Sequence, residues 1–212
     1  MRKATEEKLL KVYQPNLQVV RLDLVGDAPG YIGNGWTPEA IKELEDSLGP
    51  RKPDVKKARD YNAEFNGTRR LLTVPVDGAT DGIPSSAFMD AMVKAGFRCA
   101  DFVQTNLRAW LSIDSAEGLL PIFGSVAEPR RDMCRVKKGQ GSTIPFPVCR
   151  PFYRAPWSTT LQLKYDANSI ALEQVYSLVV MAGFSIGVGA WRPEKKGDFG
   201  RFTVAGGTEV AQ

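Results

Sequence analysis

The spacing of apolar and polar residues predicts the strands and helices of the first and last quarters of the chain. Residues 17–25 and 157–165 alternate apolar and polar positions, as strands with one buried face do. Residues 199–204 predict a last strand, and residues 169–181 carry apolar side chains at helical spacing. The side chains predicted to face inward from that helix are Leu172, Val175, Tyr176 and Val179.

The middle of the chain predicts shorter elements. Thr37 and Pro38 indicate the start of a helix with Ile41, Leu44 and Leu48 on one face, because threonine caps helices and proline suits their first position. Residues 84–97 predict a helix, and residues 70–76 a strand followed by the turn residues DGATDG. Residues 109–113 and 119–123 predict two short strands that pair as a hairpin around residues 114–118. Together these elements predict an α+β fold with a ferredoxin-like core, either single or duplicated, and one sheet face free to bind.

Composition narrows the class of protein. At 212 residues, with 43% apolar and 25% charged residues, the chain suits one globular domain spanning 1–212. Within it, residues 49–70 form a polar insertion, mobile or helical around residues 53–65, and residues 124–149 form a basic arm. Its three cysteines form no C-x-x-C pair, and no apolar run is long enough to cross a membrane. We expect a cytoplasmic protein of a bacterial cell, without a membrane partner.

The chain contains no histidine, which removes the commonest general base and metal ligand. Catalysis by carboxylates is one alternative, and two of them, Asp77 and Asp81, share a turn. Glu43, Glu45 and Asp46 also cluster on the first predicted helix, so a magnesium-dependent nuclease stays open as the third hypothesis. Turn formation and solvation explain these residues more simply. We therefore expect a protein that is not an enzyme, and we name no catalytic residue, metal ligand or cofactor.

The most informative segment, residues 183–202, reads GFSIGVGAWRPEKKGDFGRF and contains five glycines among basic and aromatic residues. Glycine allows positive φ and a close approach of the backbone, so free N–H groups in such a loop can bind phosphate oxygens. The alternative is a glycine-rich turn between a helix and a strand. The candidate binding residues here are Trp191, Arg192, Lys195, Lys196, Gly197, Gly200 and Arg201.

Three stretches resemble motifs of the RAMP superfamily, whose RRM-like proteins form the guide-RNA-binding backbone of CRISPR effector complexes. LDLVGDAPGYIGNG resembles the family's first strand and turn, IPSSAFMDA its helix start, and residues 187–202 its carboxyl-terminal glycine-rich loop. The carboxyl-terminal pattern is also similar to that of uncharacterised proteins encoded by tailed bacteriophages. The resemblance implies a ferredoxin-like or RRM-like core, a protruding β-hairpin that grips RNA and neighbouring subunits, and a preference for RNA over DNA.

Further candidate residues lie outside the glycine-rich loop. Ser85 and Ser86 either cap the helix that Pro84 begins or border free N–H groups that attract phosphate. Tyr31 and Trp36 either stack on a base or close the edge of the core. The basic arm adds Arg130, Arg131, Arg135, Lys137 and Lys138, which also suit a solvated loop.

The leading hypothesis is therefore non-catalytic binding of single-stranded RNA or DNA, by one of several subunits along the strand. Such a protein would form a homo-oligomer or a larger nucleoprotein complex. The second hypothesis is a phage structural or host-inhibitory module in which the same basic surface docks on an acidic protein.

Overall fold

The structure is a computed structural model that describes residues 14–48, 59–100, 102–138 and 142–210. Its amino-terminal half contains β1 (Leu17–Gly26), β2 (Gly30–Ile32), α1 (Pro38–Leu48), α2 (Tyr61–Thr68), β3 (Leu71–Val76), β4 (Ala79–Pro84) and α3 (Ser85–Cys99). The carboxyl-terminal half contains α4 (Gln104–Trp110), β5 (Leu111–Asp114), β6 (Leu119–Pro121), β7 (Glu128–Lys138), β8 (Ser142–Arg154), β9 (Ser158–Asp166), α5 (Leu172–Met181) and β10 (Phe202–Val210).

The central sheet has the ferredoxin-like arrangement. Its strands follow the spatial order β10-β1-β9-β5, and every neighbouring pair is antiparallel. Along the chain these strands and the two longest core helices read β1-α3-β5-β9-α5-β10, which is the β-α-β-β-α-β pattern of that fold. The α+β class and the ferredoxin-like core predicted from the sequence are confirmed. The described residues contain one such unit.

Alternation along the strands decides which face of this sheet is buried. Val20, Leu22 and Leu24 of β1 are buried, whereas Arg21 and Asp23 between them are exposed. The buried face packs against α3 and α5 through residues such as Phe88, Met92, Leu178 and Val179. Both helices therefore cover one face, and the opposite face meets solvent.

Two insertions into the ferredoxin-like unit pair with each other. The segment between β1 and α3 and the segment between β5 and β9 together form the three-stranded sheets β2-β8-β7 and β3-β4-β6. The predicted hairpin of residues 109–113 and 119–123 is therefore wrong, because β5 pairs with β9 and β6 pairs with β4. Alternation within a short segment predicts a strand but does not identify a distant partner.

The predicted helices agree with the structure in most positions. The Thr37 hydroxyl accepts a hydrogen bond from the Ala40 N–H at 3.1 Å, which confirms the predicted cap of α1. The polar insertion contains α2, although residues 49–58 lie outside the described chain. In α5 the inward position of Tyr176 was wrong: this side chain is 46% exposed, because Val175, Leu178 and Val179 form the buried face. No described helix combines the length and apolar character that crossing a bilayer requires.

Gly200 makes a close backbone contact, and we expect the loss of this contact to dominate the effect of replacing the glycine. It has φ +71°, and a Cβ added there would lie 1.8 Å from the Val188 carbonyl oxygen. Gly200→Ala should lower the free energy of unfolding by about 3 kcal/mol, from the left-handed backbone and the displaced carbonyl together. Chemical denaturation measures this value.

Gly118 provides a matched control for that substitution. It has the same φ of +71°, but an added Cβ would meet nothing within 4 Å. Gly118→Ala should therefore cost only about 1–2 kcal/mol, which is the cost of the left-handed conformation alone. Equal losses in the two variants would show that the close contact at Gly200 contributes nothing.

Candidate nucleic-acid interface

The basic arm predicted at residues 124–149 folds as a long antiparallel hairpin. Strands β7 and β8 pair over eleven residue pairs, from Glu128 opposite Phe152 to Lys138 opposite Ser142. Pro145 and Pro147 lie opposite Arg135 and Met133. Because proline has no N–H, these pairs must be the non-hydrogen-bonded ones, in which opposite side chains come closest. The arm is thus a regular part of a sheet.

One face of β7 carries an exposed stripe of Arg131, Met133 and Arg135. All three side chains are exposed, whereas the alternate residues Arg130, Asp132 and Cys134 are partly buried. The backbone of β7 continues through Lys137 and Lys138, whose side chains lie outside the description. The composition therefore predicted the charge of this arm, and the family resemblance implied its hairpin. The structure places Arg131 and Arg135, four residues apart, on the open face of β7.

Behind this stripe, guanidinium groups and aromatic rings alternate from the hairpin to the first insertion. The guanidinium carbon of Arg131 lies 4.2 Å from the centre of the Tyr61 ring, and that of Arg59 lies 4.7 Å from the Phe146 ring. Phe146 stacks on Trp36 at 5.9 Å, and Arg150 lies 5.2 Å from the Trp36 ring. These contacts fasten the hairpin to the segments that carry α1 and α2.

The same contacts decide between the two interpretations of Trp36 and Tyr31. Trp36 is partly buried with its ring occupied by Phe146 and Arg150. Tyr31 is 3% exposed, and its ring stacks on Tyr153 at 5.7 Å. Both rings therefore close the edge of the core, and neither offers a free face to a base.

Arg130 joins the hairpin to the glycine-rich loop. Its guanidinium carbon lies 4.6 Å from the centre of the Phe199 ring, and its Nε lies 3.2 Å from the carboxylate of Asp132. Phe199 also packs edge-on against Phe152 of β8 at 5.9 Å. Arg130 is consequently held between an aromatic ring and a carboxylate, whereas Arg131 contacts the Tyr61 ring and Arg135 is exposed.

The predicted cradle of free N–H groups in the glycine-rich loop is wrong, because the loop uses these groups in its own folding. The N–H groups of Val188 and Gly200 donate to the carbonyls of Gly200 and Gly30, at 2.9 and 2.7 Å. Ala190 donates to Ile32 at 2.9 Å, and Gly197 donates to Arg192 at 3.2 Å. A Cβ at Gly197 would lie 1.9 Å from the Trp191 carbonyl oxygen. These glycines serve contacts between backbone segments.

The charged side chains of this loop differ in their availability. Arg192 forms an ion pair with Glu194 at 2.6 Å, and Arg201 donates a hydrogen bond to the Phe184 carbonyl. Lys195 and Lys196 are exposed on the outer surface, and Trp191, at φ +53°, is 38% exposed. Lys195, Lys196 and Trp191 therefore remain available to a ligand, whereas Arg192 and Arg201 already have partners.

The three stretches that carry the family resemblance meet at one cavity of about 240 Å³, which we call the motif pocket. The first stretch contributes Tyr31 and Asn34, the second contributes Ser86 and Asp90 of α3, and the third contributes residues 187–189. Arg70, Lys94 and Arg192 supply the basic side chains of its wall. Arg70, Asn34 and Lys94 were not predicted, because nothing in their local sequence distinguishes them from surface residues.

Capping of α3 by Ser85 or Ser86 is also wrong. The helix begins at Ser85, Pro84 occupies the cap position, and no side chain caps the first turn. The Ser85 hydroxyl instead accepts a hydrogen bond from the Ser115 hydroxyl at 3.1 Å, and Ser86 borders the motif pocket. Because no side chain caps this first turn, its N–H groups can still bind an anion, which was the alternative interpretation of the segment.

Two other surfaces fit a nucleic acid less well. The solvent-facing side of the central sheet exposes Arg21, Asp23, Asp114, Gln162 and Lys164, a set with no net charge and no aromatic ring. RRM proteins use aromatic rings on the equivalent surface to stack bases. A groove of about 430 Å³ between α5 and β10 is apolar and bordered by Glu173 and Glu209. Carboxylates at its border would repel phosphates.

Asp81, one of the carboxylates considered as nuclease ligands, has another role in the structure. Asp81 is buried and accepts hydrogen bonds from Nε and Nη2 of Arg69 at 2.8 and 2.6 Å. Burial would raise the pKa of Asp81, but hydrogen bonds from Arg69 and Thr80 outweigh it and lower the pKa. In the described part of the chain, no three acidic or cysteine side chains group closely enough to hold a metal ion.

Comparisons with known proteins give weak similarities. No protein-family model and no curated protein matches the sequence. Among solved structures, the Type III-B Cmr-beta complex bound to cognate target RNA contains a chain similar to this one, with 11% identity and a TM-score of 0.47. The match covers 92% of this chain and 61% of that chain, so this protein spans about three-fifths of its length. Cmr6 from Pyrococcus furiosus is 13% identical with a TM-score of 0.44, over 90% of this chain and 100% of its own.

Glu194 ties the wall of the motif pocket together and should make stability depend on pH. Its carboxylate lies 3.0 Å from Lys94 and 2.6 Å from Arg192. Burial would raise the pKa of Glu194, but these cations outweigh it and lower the pKa in the folded protein. A lowered pKa stabilises the fold above the ordinary glutamate pKa, and this contribution disappears as the pH falls through the folded value.

Glu194→Gln should therefore be less stable than the wild type near about pH 6, and the difference should shrink towards about pH 3. Urea unfolding at both pH values measures it. The same substitution at Glu45, an exposed residue of α1, is the control for the loss of one carboxylate. A wild-type advantage that stays constant across this range would contradict the assignment.

Proposed function

We propose that this protein binds single-stranded nucleic acid without cutting it, and that the β7–β8 hairpin supplies the main contact. The observation that carries the proposal is the exposed stripe of Arg131, Met133 and Arg135 on one face of β7. Arg131 and Arg135 are four residues apart on the strand, which separates them by roughly 13 Å. That spacing lets the two arginines contact two different phosphates of an extended strand.

Electrostatics support this assignment of the stripe. Arg131 contacts the Tyr61 ring, and among the described residues no carboxylate lies within ion-pair distance of Arg131 or Arg135. Their charge is therefore available to a phosphate backbone, unlike that of Arg154, which is paired with Glu128 at 2.8 Å. Arginine suits phosphate because its planar group donates several hydrogen bonds at once.

The proposal has three further parts: the protein does not cut the strand, the strand is RNA, and binding takes place in the cytoplasm. The chain has no histidine, and Asp81 is engaged by Arg69, so the residues support binding better than hydrolysis. RNA is proposed over DNA because of the sequence motifs that resemble the RAMP superfamily. In that setting the protein is one subunit of a larger nucleoprotein complex, or of a homo-oligomer along the strand, in the cytoplasm of a bacterium or a phage-infected cell.

Removing the two exposed arginines tests the proposal. Affinity of the wild type for a labelled single strand should fall steeply as salt rises, because each neutralised phosphate releases a counterion. The Arg131→Gln/Arg135→Gln variant should bind more weakly and reduce the slope of log affinity against log salt by about 1.4, at about 0.7 per lost contact. Fluorescence anisotropy with RNA and DNA of the same sequence measures both the slope and the preference.

The solvent-facing side of the central sheet offers the matched control. Arg21→Gln/Lys164→Gln also removes two exposed cations, so it changes the net charge equally. This variant should keep the wild-type salt slope to within about 0.3. If both double variants lose affinity alike, binding depends on net charge and the hairpin has no special role. If neither loses affinity, the proposed interface is wrong.

A further inference from the structure

The motif pocket is separate from the exposed stripe and has features of an anion-binding site. Its volume of about 240 Å³ lies below the roughly 300–1,000 Å³ of pockets for drug-sized ligands. It borders α3 from Ser86 to Lys94, which at 1.5 Å per residue corresponds to roughly 12 Å. A cavity of this size holds a small ligand or one end of a larger one.

The first feature is the amino-terminal end of α3. This helix spans fifteen residues, and no side chain caps its first turn. The N–H groups of a first turn carry partial positive charge along the helix axis, so an uncapped end favours an anion. Ser86 at this end lines the motif pocket and is itself exposed.

The second, independent feature is the hydroxyl of Tyr31. Tyr31 is 3% exposed and lines the motif pocket, and no hydrogen bond to its hydroxyl forms within the described chain. Arg70 lines the same pocket, and its positive charge opposes the rise in the pKa of Tyr31 that burial causes. A hydroxyl that lines the pocket and has no protein partner in the described chain can donate a hydrogen bond to a bound oxygen atom.

The third feature is the charge of the wall. Arg70, Lys94 and Arg192 contribute three positive charges and Asp90 contributes one negative charge, so the lining residues sum to +2. Asp90 is itself paired with Arg108 at 2.5 Å, and Glu194 is shared among Lys94, Arg192 and Arg98. A phosphate monoester carries about 1.5 to 2 negative charges at pH 7, whereas a phosphate inside a strand carries about one. The wall therefore matches a monoester better than a diester.

We propose that the motif pocket binds the phosphate monoester of a nucleotide, with the phosphate between Arg70, the Tyr31 hydroxyl and the first turn of α3. A monoester of this kind occurs at the end of a nucleic-acid strand and on a free mononucleotide. The free-nucleotide source does not depend on the proposed function, whereas the strand-end source rests on it.

Calorimetric titration tests the shared chemistry directly. At constant ionic strength, adenosine 5′-monophosphate should bind at least about tenfold more tightly than adenosine, as expected for charge-assisted hydrogen bonds. Arg70→Gln should remove that difference, and Tyr31→Phe should reduce it several-fold while preserving the ring that packs on Tyr153. Arg21→Gln should leave it unchanged. Equal binding of nucleotide and nucleoside, or an Arg70→Gln variant that binds as the wild type does, would overturn the proposal.

Oligonucleotides distinguish the two sources of the phosphate. Single strands of one sequence are compared with a phosphate at the 5′ end, at the 3′ end, or at neither end. A preference for one phosphorylated end that Arg70→Gln abolishes and Arg131→Gln/Arg135→Gln preserves identifies the strand end as ligand. Monophosphate binding without an end preference identifies the free nucleotide. If neither monophosphate binding nor an end preference is observed, the pocket proposal is wrong. An equal loss of affinity for all strands in the Arg131→Gln/Arg135→Gln variant bears only on the proposed function.

Discussion

The close contact between the glycine-rich loop and the strand β2 joins the carboxyl-terminal part of the fold to the first insertion. Gly200 donates to the Gly30 carbonyl at 2.7 Å, and Ala190 donates to the Ile32 carbonyl at 2.9 Å. A Cβ at Gly189 would lie 2.3 Å from the Ile32 carbonyl oxygen, so the loop can reach β2 only with glycine there. Because β2 also pairs with β8, this contact links the carboxyl-terminal loop to the hairpin. It closes one wall of the motif pocket and supports Phe199 beneath Arg130.

The ferredoxin-like unit serves mainly as a scaffold for the two insertions. Its buried face is filled by α3 and α5, and its open face has balanced charge. The first insertion supplies β2 and β4, which pair with β8 and β6 of the second insertion, and β8 also pairs with β7. Alternating arginine and aromatic side chains then hold the hairpin against the first insertion. The basic surface is consequently built by the insertions, although the core fold is that of many proteins that bind RNA through the sheet itself.

Local sequence patterns predicted much of this structure. Alternation identified β1 and β9, and helical spacing identified α3 and α5. The basic composition marked residues 124–149 as an arm, whereas its hairpin was implied by the family resemblance. Patterns could not reveal the pairing of β4 with β6 or of β2 with β8, because those partners are far apart in the sequence. Glycines at 197 and 200 correctly indicated close approach, but the neighbour is a backbone carbonyl rather than a phosphate. The motif pocket was invisible for the same reason, since Arg70 and Lys94 meet Tyr31 only in the folded chain.

Photo-crosslinking with mass spectrometry locates the bound strand on the protein and so tests whether the hairpin is the main contact. A single-stranded RNA containing 4-thiouridine is irradiated in complex with the protein, and the crosslinked peptides are sequenced. We expect crosslinks in β7 around Arg131, Met133 and Arg135, which form the exposed stripe. Crosslinks confined to the solvent-facing side of the central sheet, around Arg21 and Lys164, would contradict it.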